Sequence, residues 1–119
     1  MSDIKRVDPI DGKLSDAVEF NGVVYLAGQV ATDLSAGMKE QTEDVLRQID
    51  ALLAKCGSNK SRILSATVYV SDMAKKPQMD EAWMAWVDRR NPPARATVEA
   101  QLGSPDTLVE IMCTAAKNT

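Results

Sequence analysis

Two ionisable residues in the C-terminal third of the chain are placed for chemistry. Arg95 opens a strand-like run, Ala96-Thr97-Val98-Glu99, behind two prolines that disfavour helix just before them. Glu110 lies inside a second apolar run, Leu108 to Ala116. The turn signal Gly103-Ser104-Pro105-Asp106 stands between them, so the two runs read as a hairpin with a longish loop. Side chains alternate along a strand, which puts Arg95, Thr97 and Glu99 on one face and Ala96, Val98 and Ala100 on the other. On the second strand Leu108, Glu110 and Met112 oppose Val109, Ile111 and Cys113. Taking Val98, Val109, Ile111 and Cys113 as the core face leaves Arg95 and Glu110 together on the far face. A fixed cation and a carboxylate on one sheet face, beside Leu108 and Met112, suit a small-molecule site.

The chain contains no histidine. This removes Ser-His-Asp and Cys-His arrangements. It also argues against zinc or non-haem iron, for which imidazole is the common ligand, so no metal site is expected. Chemistry falls to carboxylates, Arg, Lys, Tyr, Ser or Thr, Cys, backbone groups and water.

The elements that must position these residues follow from the patterning. Residues 1–13 are polar, with Pro9 and Gly12, and read as a loose lead-in. Asp16 to Phe20 and Val23 to Ala27 are short β-rich runs joined by Asn21-Gly22, the strongest short hairpin signal. Met38 to Cys56 is a helix, with Val45, Ile49, Leu52, Leu53 and Cys56 on one apolar stripe and Gly57 as its stop. Ile63 to Val70 is a strand with Leu64, Ala66, Val68 and Val70 on one face. Pro77 opens a second helix, roughly 78–87, carrying Met79, Trp83 and Trp86. The order is ββαβαββ, a single α+β domain with two helices on one face of the sheet. Nothing remains to cover the other face, which carries Leu108 and Met112. An uncovered apolar face of this kind implies a homo-oligomer packed through the sheet, with the Arg95 and Glu110 region near a subunit boundary.

Composition narrows the partners. A chain of 119 residues is one domain's worth and long enough to bury a core without staples. Its net charge of −3 argues against a general nucleic-acid binder. No apolar run approaches the roughly 20 residues of a membrane helix, and the polar N-terminus does not resemble a signal peptide. Cys56 and Cys113 then read as free, buried thiols in a reducing cytoplasm.

Several segments carry a family resemblance. Pro93-Ala94-Arg95-Ala96-Thr97-Val98-Glu99 with Val109-Glu110-Ile111 resembles the signature of the RidA/YjgF family. So do Val24 to Val30, Gln41-Thr42 with Ile49, and Ser65 to Met73, in the right order over about 14–116. The resemblance implies a chorismate-mutase-like fold and a barrel-like homotrimer with clefts between subunits. It further implies hydrolysis, without a cofactor, of reactive enamines and imines such as 2-aminoacrylate to 2-oxo acids and ammonia.

By the same resemblance Arg95 matches the arginine that holds the substrate carboxylate, a job suited to its planar fork. Glu110 matches the glutamate that positions or activates water. Gly28 lies where the backbone comes close to the ligand, and Thr97 stands where many members carry cysteine. The chain departs from the family in two places: Leu14 replaces a tyrosine, and Asp80 replaces an asparagine in the second helix. Both positions lie near the ligand in the family, so the substrate is expected to differ. Trp83 and Trp86 read as core or interface packing, Trp83 being also a candidate to line the cleft. Glu99 reads as structural. The alternative reading is a trimer that binds or senses a small carboxylate without turnover.

Overall fold

The structure, a computed structural model, describes residues 3–118. The chain runs β1 (Lys5–Ile10), β2 (Leu14–Phe20), β3 (Val23–Leu26), β4 (Gln29–Val30), α1 (Met38–Lys55), β5 (Ile63–Val70), α2 (Lys76–Trp86), β6 (Ala94–Glu99) and β7 (Val109–Ala116). The expected α+β order is present, with two added strands: β1, where a loose lead-in was expected, and the two-residue β4 after β3. Asp11 and Gly12 both take positive φ, 54° and 65°, and fold β1 back on β2 so that Val7 meets Ala17 and Ile10 meets Leu14. Asn21 and Gly22, at 52° and 78°, make the expected turn between β2 and β3.

The sheet order is β1-β2-β3-β7-β5-β6, with β4 also paired to β7. The expected hairpin between residues 96–99 and 108–116 does not form. β6 instead pairs with β5 in parallel, and β7 pairs antiparallel along the other edge of β5. The crossover through α2 dictates the first pairing, because a helix between two strands returns the chain in the same direction. The loop after β6 then carries β7 past β5 into the middle of the sheet, where its apolar side gains the most burial. Val109, Ile111, Cys113 and Ala115 are all buried there, as the alternation of this strand predicts.

Both helices cover one face. Val45, Ile49 and Leu53 of α1 are fully buried, each contributing about 1.5–3 kcal/mol by removal from water. The helix ends with Gly57 at φ 73°, Ser58 N–H donating to Leu53 O and Gly57 N–H to Ala54 O, which satisfies its last carbonyls. Among the described residues no helix is long and apolar enough to cross a membrane.

The opposite face is uncovered. Leu14, Tyr25, Val98 and Met112 are 47%, 48%, 42% and 43% exposed upon it. Two expectations are corrected here. Val98 faces outward instead of joining the core, since it is paired with Tyr69 and Tyr69 with Glu110 on the open side. Leu64 is also exposed, because the pairing with β7 shifts between Ile63 and Ser65 and turns it away from Ala66, Val68 and Val70.

Candidate functional site

Glu110 sits near the start of β7, half-buried on the open face, between Val30 of β4 and Tyr69 of β5. Gln41 anchors the approach to this strand: buried in α1, it donates to Asp106 O at 2.9 Å and accepts from Leu108 N–H at 3.0 Å. On the other side β3 and β4 act as one strand with an extra residue. Tyr25 pairs with Thr114 and Gln29 with Ile111, so four residues on one side span three on the other. Gly28 lies at this bulge, and the Glu110 side chain occupies the space where a Cβ would project. The glycine is needed there for room, since its φ is not in the left-handed region.

Arg95 lies elsewhere. It pairs with Ala66, whose side chain is buried beneath the helices, and so faces α2 at the sheet edge. Its Nη2 is 2.9 Å from Asp80 Oδ1, and its Cζ lies 5.1 Å from the centre of the Trp83 ring. Nη1 points at Met79 Sδ, 3.9 Å away. The other Asp80 oxygen accepts from Lys76 Nζ at 2.5 Å. Burial pushes the Asp80 carboxyl up, but the bonds from Lys76 and Arg95 outweigh it and hold the group below its ordinary value. Thr97 follows Arg95 on the same face, beside buried Val68.

The expectation that Arg95 and Glu110 share a face is therefore overturned. They stand on opposite faces, two strands apart, about 10 Å by strand spacing alone. Alternation shows which residues of β6 lie together but not which set meets the helices. On this edge strand an arginine stacked on Trp83, and not Val98, takes the inner side. Glu110 is brought together with Gly28; Arg95 with Asp80, Trp83 and Thr97. Leu14 lies at the start of β2 on the open face, paired with Ile10 of β1 and beyond the stretch of β2 that pairs with β3. Trp83 is only 5% exposed, and its ring lies beneath the Arg95 guanidinium.

Lys76 and Met79 were missed from sequence, although the i, i+4 spacing of Lys76 and Asp80 on a helix was a legible signal. Trp86 is structural, its Nε1–H donating to Asp50 Oδ2 at 2.8 Å. Glu99 is too, accepting from Met73 N–H at 2.8 Å. A concavity of about 510 Å³ lined by Ser71, Glu99, Gln101, Leu102 and Pro105 contains none of the candidate residues except structural Glu99. Among the described residues no cluster of three or more Cys, Asp or Glu side chains is arranged to hold a metal ion.

Comparison with known proteins places this arrangement. Residues 4–117 match the family described as Endoribonuclease L-PSP. A RutC family protein of Haemophilus ducreyi is 47% identical over 115 residues, covering 97% of each chain. The RutC family protein YoaB of Escherichia coli is 44% identical over 113 residues, covering 95% of this chain and 97% of its own. A crystal structure of a YjgF family member from Neisseria meningitidis superposes with a TM-score of 0.95 at 43% identity, covering 98% of this chain and 97% of that one. With nearly its whole length matched in sequence and in fold, the chain belongs to the YjgF/RutC, or endoribonuclease L-PSP, family.

Proposed function

We propose that the protein hydrolyses reactive enamines and imines of the 2-aminoacrylate type to 2-oxo acids and ammonia, at clefts between the subunits of a homotrimer. The observation that carries this reading is the division of the two charged groups between opposite faces of one sheet, beside an uncovered apolar face. A second copy packed on that face would set the Arg95 edge of one subunit against Glu110 of the other. Leu14, on the open face, would join the cleft by the same packing.

In this scheme the N–H groups of Arg95 not engaged by Asp80 hold the substrate carboxylate. Asp80 and Thr97 flank it, and Trp83 supports it. Glu110, seated against Gly28, takes a proton from water as the water oxygen bonds to C2 of the imine. The C=N electron pair of the protonated imine moves onto nitrogen as the O–C bond forms. The carbinolamine nitrogen takes the proton back from Glu110. The C–N bond then breaks as the hydroxyl gives its proton to solvent and becomes the carbonyl, releasing ammonia and the 2-oxo acid. Only water is consumed, so the reaction calls for no cofactor.

The test is a coupled assay in which an amino-acid oxidase generates a panel of imino acids and semicarbazide traps those that survive. Wild type should lower the trapped signal and Arg95→Ala should not. An unchanged signal across the panel removes the hydrolase reading. The second reading, a trimer that binds a small carboxylate without turnover, draws support from Asp80 already bonding Arg95. Binding that depends on Arg95 without any loss of trapped imine would establish it.

A further inference from the structure

Arg95 does not offer its whole fork to a ligand. One terminal nitrogen is bonded to Asp80, the other points at Met79, and the guanidinium stacks on Trp83. Its Nε–H takes part in neither the Asp80 nor the Met79 contact. Asp80 is in turn fixed by Lys76, four residues earlier on α2, and about 30% of its side chain stays exposed. The cation that would receive a ligand's carboxylate thus has a resident anion beside it.

This arrangement discriminates by charge. A bare monocarboxylate on Arg95 would be repelled by Asp80 across a few ångströms. A ligand with a positive charge on the carbon next to its carboxylate would meet Asp80 with attraction. We infer that Asp80 is the specificity-determining residue of the Arg95 site, sharing Arg95 with the ligand's carboxylate and favouring ligands that carry a cationic nitrogen on the adjacent carbon. The inference rests on the reading of Arg95 as the carboxylate's partner. The preferred ligand class is then the protonated imine over the 2-oxo acid. Hydrolysis removes the cationic nitrogen, so the product loses the contact that favoured its precursor and is released. Lys76 moderates the effect by partly neutralising Asp80.

The experiment measures binding, not turnover. Two stable probes of one carbon skeleton, zwitterionic 2-aminobutyrate and monoanionic 2-oxobutyrate, are titrated by NMR into wild type, Asp80→Asn, Lys76→Met and Arg95→Ala. Asp80→Asn should tighten 2-oxobutyrate on the order of tenfold relative to 2-aminobutyrate. Lys76→Met should move the ratio the opposite way. Equal weakening of both probes in Asp80→Asn would make Asp80 a prop for Arg95 and overturn the inference, as would a ratio unchanged in both variants. Arg95→Ala separates the two levels. Loss of both probes keeps the carboxylate reading whatever Asp80 does; wild-type binding of both removes that reading and the inference with it.

Discussion

A Cβ placed on Gly28 would stand 2.2 Å from Oε2 of Glu110 and 3.0 Å from its Cδ. The glycine and the carboxylate are thus a fitted pair, one on the bulge between β3 and β4 and the other on β7. Only a residue without a side chain lets Glu110 lie flat against the sheet.

Gly28→Ala should therefore act on Glu110 and not on the fold. The methyl group would push the carboxylate off its seat, and displacement of a reacting group by about 1 Å costs on the order of 100-fold in rate. Imine turnover should fall by that order while circular dichroism stays unchanged. Undiminished turnover in the folded variant would exclude Glu110, in this position, from the reaction.

If each site takes Arg95 from one chain and Glu110 from another, two dead variants can restore each other. Arg95→Ala and Glu110→Ala, unfolded together and reassembled in equal amounts, should regain about a quarter of wild-type activity from randomly mixed interfaces. Each variant reassembled alone should stay inactive. No recovery in a mixture shown by mass spectrometry to contain hybrids would mean that the two residues do not act across an interface.

The uncovered face should be where copies meet. Val98→Asp adds a charge at an exposed apolar position of β6. Buried at an interface, that charge has no partner and disfavours assembly. Light scattering should give wild type about three times the 12.9 kDa of one chain. The variant should run as a single chain. A wild-type protein of single-chain mass would remove both the trimer and the interfacial site.

Asp88 supplies a prediction in acid. Its carboxylate accepts from Ser61 Oγ at 2.6 Å, Asn91 Nδ2 at 3.0 Å and Arg90 N–H at 3.0 Å, which lowers its pKa from 3.8 to about 2. A depressed carboxylate pKa contributes stability above the unfolded-state value, and the contribution is lost as pH falls through the folded-state value. Asp88→Ala should melt lower than wild type near neutral pH, and the gap should close between about pH 4 and pH 2. A gap that stays constant through this range would mean that the charge of Asp88 is not its source.

Much of the scaffold was legible because its signals are local. Asn21-Gly22 declared a turn, the stripe from Val45 to Cys56 declared α1, and the alternation of Val109, Ile111 and Cys113 fixed the faces of β7. β1 escaped notice because Lys5 to Ile10 is polar on its exposed edge, although Asp11-Gly12 is the same kind of turn signal as Asn21-Gly22. The site was only half legible. Arg95 and Glu110 could be singled out by type, and Gly28 by resemblance. Their separation onto opposite faces depends on β5 lying between β6 and β7, a pairing across the sheet that no spacing within either strand records. The bond between Asp80 and Arg95 likewise depends on how α2 sits over β6.

The β5–α2–β6 crossover has an evolutionary consequence. Lys76, Met79, Asp80, Trp83 and Arg95 all fall within one contiguous stretch, Ile63 to Glu99, whereas Gly28 and Glu110 lie outside it. The cationic half of the proposed site and its carboxylate half are thus carried on separate cassettes of the chain. Grafting the 63–99 cassette from one relative onto another would transplant ligand choice and leave the water-handling half untouched. Diversification within such a lineage can proceed by drift in one cassette while the other is held fixed.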